Sequence, residues 1–276
     1  MPDRHLSRRS VLRTTSGAFG VAPIGVRHAS GEAIGTAGRC PEATIRPGME
    51  HCTDAHGDGC SDDHPETEAI QDAVSRTLED RYPNVGTLID EGFIPYFDLA
   101  SSGEEGGYSH WINPDYLGDE TVLDPERPES VLVDNKWWRP IGVMFIATED
   151  GEAVDDPPAV YGEGDEACAP WHYHTGVPGR FAWWYYQKVY GSDGKTSLKL
   201  PCRTPCMLHV WTYPNPNGVY AHGPPPRGNR GGPPAEDPGF DTWATPGDDE
   251  LEWDTLPDGF VSRFKPDTSL RDLLFG

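Results

Sequence analysis

The chain has 276 residues, 45 acidic against 22 basic, for a formal charge of −23. A surface this acidic excludes a general nucleic-acid binder, which needs basic groups against phosphate. No apolar run approaches the ~18 residues of a membrane-spanning helix, and 28 Pro with 32 Gly work against a helical bundle.

The chain opens on Ser7-Arg8-Arg9-Ser10-Val11-Leu12-Arg13, followed by a weakly apolar Gly/Ala-containing stretch from Gly17 to Val26. This reads as a twin-arginine export signal, with Arg8 and Arg9 as its paired arginines and cleavage expected between Ala29 and Ala37. The expected partner is the twin-arginine export machinery, and the expected location is extracellular or at the cell surface. Arg39 stands directly before Cys40, where a lipid-anchor site would need a small residue.

Only five of the 22 basic residues are lysines, and the acids are spread along the whole chain. At low ionic strength such a surface repels itself. In molar salt the Debye length falls to about 3 Å and the repulsion is screened. The pattern resembles proteins of extreme halophiles, haloarchaea in particular.

Residues 37–65 are polar and Gly-rich, a flexible lead-in carrying Cys40, Cys52 and Cys60. Pro65 then opens a helical pattern, with Ile70, Ala73, Val74, Thr77 and Leu78 at helical spacing, acids in the first turn and Pro83 beyond its end. A second short helix is expected over Val85 to Gly92. Ser130–Val133 and Pro140–Ala147 flank Asp134-Asn135-Lys136 and predict a hairpin. The aromatic run Arg180 to Tyr190 reads as a strand, Asp193-Gly194 as a turn, and Met207 to Tyr213 as a strand with period-2 alternation. A short terminal helix is expected over Thr268 to Phe275. Together these predict a mostly-β or α+β fold: a signal region over 1–36, the lead-in over 37–65, one compact β-rich domain over 66–222 with one or two N-terminal helices, and an irregular Pro/Gly-rich extension over 223–276.

Five histidines in the domain carry the chemical signal. His172-Tyr173-His174 is an H-x-H pair whose side chains share a face if the segment is a strand. In Leu208-His209-Val210-Trp211-Thr212-Tyr213, His209 shares a face with Trp211 and Tyr213. If the two strands are neighbours, His172, His174 and His209 converge, with His110 or His222 as a fourth ligand. Neutral imidazoles suit one transition-metal ion such as Zn, Cu or Fe and leave a position open for water or substrate. The competing reading is that of ordinary packing histidines. Cupin-type barrels also use H-x-H, but their following glutamate is missing after His174, so the likeness is an analogy alone.

Six cysteines in an exported chain point to disulfides among Cys40, Cys52, Cys60, Cys168, Cys202 and Cys206. Three lie in the lead-in and three in the domain, so at least one bridge joins the two. The alternative is a zinc cluster in the lead-in from His51, Cys52, His56, Cys60 and His64, which lacks paired C-x2-C spacing.

Three segments carry a resemblance: His110-Trp111-Ile112-Asn113-Pro114, Leu123-Asp124-Pro125-Glu126-Arg127-Pro128-Glu129, and Leu208-His209-Val210-Trp211 with Asn215-Pro216-Asn217-Gly218. Over roughly 66–222 the chain resembles a group of small exported prokaryotic proteins with these segments and no assigned activity. The resemblance implies export and points to His110 and His209 as motif members. It brings no reaction with it. No nucleophile elbow, H-E-x-x-H, phosphate loop or dinucleotide fingerprint is present. Two readings of function follow: an exported salt-adapted protein with a histidine-bound metal, or a non-catalytic extracellular binding or structural module with an aromatic-lined surface drawn from Trp111, Trp137, Trp138, Trp171, Trp183, Trp184 and Trp211.

Overall fold

Helix α1, Pro65–Asp80, forms because every local signal agrees. The His64 side chain caps it by accepting from the Glu66 N–H, Pro65 occupies a first-turn position that needs no donor, and Glu66 and Glu68 face the positive end of the helix dipole. Its buried stripe of Ile70, Val74 and Leu78 packs on the central sheet. Each such side chain contributes about 1.5–3 kcal/mol on leaving water. Helix α2, Val85–Asp90, follows, capped by the Asn84 side chain.

The computed structural model of the chain describes residues 40, 43–53, 60–97, 107–190 and 200–266. Arg8 and Arg9, the expected Asp193-Gly194 turn and the expected helix from Thr268 lie outside the described residues. The described residues belong to one compact unit, Cys40–Gly276.

The protein is α+β, built on a seven-stranded antiparallel sheet. Its strands are β1 (Met49–His51), β2 (Ile94–Tyr96), β3 (Tyr108–Ile112), β4 (Ser130–Asp134), β5 (Arg139–Ile146), β8 (His172–His174) and β9 (Met207–Trp211), in the order β1-β8-β9-β5-β4-β3-β2. Two short strands, β6 (Thr148–Glu149) and β7 (Glu152–Ala153), pair separately. The hairpin expected around Asp134 is β4–β5. Its turn is held by Asp134, whose Oδ1 accepts from the Lys136 and Trp137 N–H groups while Oδ2 meets Arg230 at 3.0 Å.

Alternation divides the sheet between two layers. Val131, Val133, Phe145, Leu208 and Val210 turn to α1 and to the C-terminal residues Leu251, Trp253 and Leu256. Leu132, Met144, Met207 and Trp211 turn to the other side, against Trp183 and Tyr186.

Those two aromatics belong to a helix, α4 (Val177–Tyr190), where the sequence pattern predicts a strand. The run has apolar residues at both parities, so it offers no true period of two. Around a helix it resolves into two stripes: Trp183 and Tyr186 face the sheet, and Phe181, Trp184 and Tyr185 gather beside Tyr96. Pro178 sits in the first turn, where its missing donor costs no helical bond. The buried Arg180 anchors the start of the helix by donating to the carbonyls of Thr175, Pro201 and Thr44.

The lead-in is part of this architecture. Its strand β1 pairs with β8 at the sheet edge, and its three cysteines all bridge into the domain, as Cys40–Cys202, Cys52–Cys206 and Cys60–Cys168. The sequence requires one such bridge; the structure has three. With Cys52 and Cys60 oxidised, the alternative zinc cluster has no thiolate, and His64 serves as the helix cap. Among the described residues after 222 there is no sheet strand, only two 3-10 turns and the short helix α5, Asp258–Phe264.

Candidate metal centre

Strand β8 lies between β1 and β9, so His172 and His174 share a face with Met207 and His209. Met207 stands opposite His172, and His209 lies two residues further along the same face. His222 comes from the loop after β9. That loop is folded back by Asn215, which accepts from the Gly218 N–H through its carbonyl and donates from its side chain to Gly223 O. Gly218, at φ +100°, takes the left-handed turn a side chain would resist. The Trp211 Nε1–H then donates to Ala221 O and fixes the residue before His222.

The tight group is His172, His174 and His222, whose nearest nitrogens all lie within 4.8 Å of one another. Their ring centroids are 5.0 to 5.5 Å apart. Nitrogens bound to one ion at about 2.1 Å lie at most about 4.2 Å apart, so a small rotation of the rings closes the set. The sequence expectation joined His172 and His174 with His209. The structure puts His209 immediately beside them, its ring 5.4 Å from those of both His172 and His222. His110, on β3, stands behind His209 at 6.2 Å and does not join the tight group.

Neighbouring groups hold the cluster in place. His172 Nε2 is buried without a partner. The His174 N–H donates to Thr204 Oγ1, and the backbone of Gly179 lies against the His174 side chain. Both His209 nitrogens are also buried and unpartnered. Three orphaned imidazole nitrogens in one spot would each cost about 1–3 kcal/mol in a protein with nothing to bind there.

Burial sets the charge state. It pulls His172 down to about 3 and His174 and His110 to about 4, with neighbouring imidazoles adding to the shift. His209 is pushed well below its ordinary value by burial first and by the surrounding histidines second. His222, exposed on one side, is lowered by partial burial. All five are therefore neutral near pH 7, the form that ligates a metal. The described residues offer no carboxylate to this set, so a divalent ion would keep its full charge.

His174, His209, His110 and His222 also border a cavity of about 180 Å³ beneath α4. The sequence named all five histidines; it gave no sign of Thr204, whose hydroxyl accepts from the His174 N–H, or of Gly179, which acts through lacking a side chain. Residues of the segments behind the expected resemblance have structural roles here: Asn113 caps helix α3 (Pro114–Leu117), Asp124 caps a turn, and Glu129 Oε2 accepts from the buried Ile146 N–H.

Comparison of the chain with protein-family models, with curated proteins and with solved structures gives no match.

Proposed function

We propose that this is an exported metalloprotein that holds one transition-metal ion on His172, His174 and His222, with His209 beside it and an open coordination position facing the cavity. The observation that carries the reading is the convergence of three imidazole nitrogens within 4.8 Å, one of them buried without a partner. Three neutral imidazoles suit Zn, Cu and Fe, and affinity should run Cu²⁺ above Zn²⁺ above Fe²⁺. An ion with a free position polarises a bound oxygen or lowers the pKa of a bound water.

The alternative of an aromatic-faced binding module has less support. Trp111, Trp138, Trp171 and Trp211 are fully buried, and Trp243 is the large exposed aromatic among the described residues. Export is supported by the Arg8-Arg9 segment and by three disulfides, which persist in oxidising compartments. No helix among the described residues is long and apolar enough to cross a membrane. Adaptation to brine is supported by the charge of −23.

Elemental analysis of the full chain, folded in molar salt and exposed to Zn²⁺, Cu²⁺ or Fe²⁺, tests the centre. One ion per chain is expected, lost in His172→Ala with His222→Ala. A chain that retains no metal above background overturns the reading. Export is tested by Arg8→Lys with Arg9→Lys, which should leave the product in the cytoplasm, and salt adaptation by a melting temperature that climbs with KCl.

A further inference from the structure

The cavity beside the histidines has an unusual wall for so acidic a protein: none of its lining residues is Asp, Glu, Lys or Arg. Much of the wall is apolar, made by Ile112, Met144, Ile146 and Met207 from the sheet and Trp183 from α4. Imidazoles line it too, from His110, His174, His222 and His209, and both His209 nitrogens are buried without a partner. His174 and His222 belong both to this wall and to the tight metal-ligating group.

Size and chemistry narrow the occupant. An apolar cavity of about 150 Å³ takes benzene, so a volume of about 180 Å³ fits one six-membered ring with a small substituent and not two fused rings. Methionine sulfur packs well against an aromatic face, and two methionines with a tryptophan line this one. In the metal-free chain a charged ligand would shed its water with no opposite side-chain charge to replace it. A neutral imidazole pairs with a hydroxyl as donor or acceptor, which would give one of the two unpartnered His209 nitrogens a partner.

We propose that the cavity is the substrate site of the metal centre and takes an uncharged single-ring aromatic alcohol, a phenol, with its ring among Met144, Met207 and Trp183 and its hydroxyl toward His209. The link to a substrate rests on the metal reading above; the binding itself does not, because the cavity walls are formed by the chain alone.

The test is calorimetric titration of the full disulfide-intact chain in molar KCl at pH 7, both stripped with chelator and loaded with Zn²⁺. The probes are phenol, toluene, benzoate and 1-naphthol. Phenol should bind at one per chain in both forms. Toluene, lacking the hydroxyl, should bind about five-fold more weakly, the size of one ordinary hydrogen bond. In the stripped form benzoate and 1-naphthol should give no measurable heat. His209→Leu should bring phenol down to the affinity of toluene, and Ala182→Phe, which fills the cavity, should abolish phenol binding with Zn²⁺ still at one per chain. Stoichiometric Zn²⁺ without phenol binding overturns this inference and leaves the metal reading standing. Phenol binding in a chain that takes up no metal sinks the metal reading and keeps the cavity assignment. Equal affinity for toluene and phenol overturns the role given to His209.

Discussion

The backbone of Gly179 presses on the side chain of His174: a Cβ built on that glycine would lie 2.5 Å from His174 Cβ and 2.8 Å from its Cγ. Helix α4 thus sets the position of one member of the histidine cluster through an absent side chain. Gly179→Ala must move either the helix or the histidine. The expected outcome is a loss of metal affinity of about 10- to 100-fold, the usual size for disturbing a ligand's support. A chelator-competition titration measures it, with circular dichroism to show the fold retained. Unchanged affinity would mean that His174 is not a ligand.

Asp134 and Arg230 form a buried ion pair, their side chains 4% and 1% exposed. Arg230 also donates to Pro225 O, so it ties the C-terminal extension to the β4–β5 turn. Arg230→Met leaves the Asp134 charge uncompensated and should cost about 3–5 kcal/mol. Asp134→Asn combined with Arg230→Met should cost less than the two single changes added. Denaturant unfolding in high salt measures all three.

Glu129 is buried at 1% exposure, and burial raises its carboxyl to about 8 despite the backbone N–H groups that favour the charged form. The folded chain holds this proton more tightly than the unfolded chain. The stabilisation is complete below the ordinary value of 4.5 and is lost as pH rises toward 8, by roughly 1.4 kcal/mol per pH unit. Glu129→Gln keeps an acceptor for Ile146 N–H and has no charge to bury. Its stability should match the parent near pH 4.5 and exceed it above pH 8, so the difference between the two unfolding curves against pH is the measurement.

The disulfides close loops of 162, 154 and 108 residues. Long loops lose the most unfolded-state freedom on closure, so Cys52→Ser with Cys206→Ser should cost about 2–5 kcal/mol. Cys206 directly precedes β9, and Cys52 directly follows β1, which pairs with the His172–His174 strand. The same double variant should therefore weaken Zn²⁺ binding, read by titration at a temperature where it remains folded.

Local pattern was enough for several elements. The stripe Ile70, Val74, Leu78 behind an acidic first turn specified α1, and the alternation of Leu208, His209, Val210 and Trp211 specified both faces of β9. The three-and-three division of cysteines required a tie between lead-in and domain, and the five histidines of the cluster were each visible as residues. These features are legible because they depend on neighbours within one or two turns or along one strand.

The run from Arg180 to Tyr190 shows where that ends. Apolar at both parities, it fits either element, and only the sheet face waiting for Trp183 and Tyr186 selects the helix. The same holds for the site. Strand order β1-β8-β9-β5 brings His172 beside His209, and a loop closed by Asn215 returns His222 to complete the group. Which imidazoles meet, which cysteines pair and how large a space remains under α4 are decided by contacts between segments far apart in the chain. Their free energies belong to the assembled fold and leave no periodicity in the sequence.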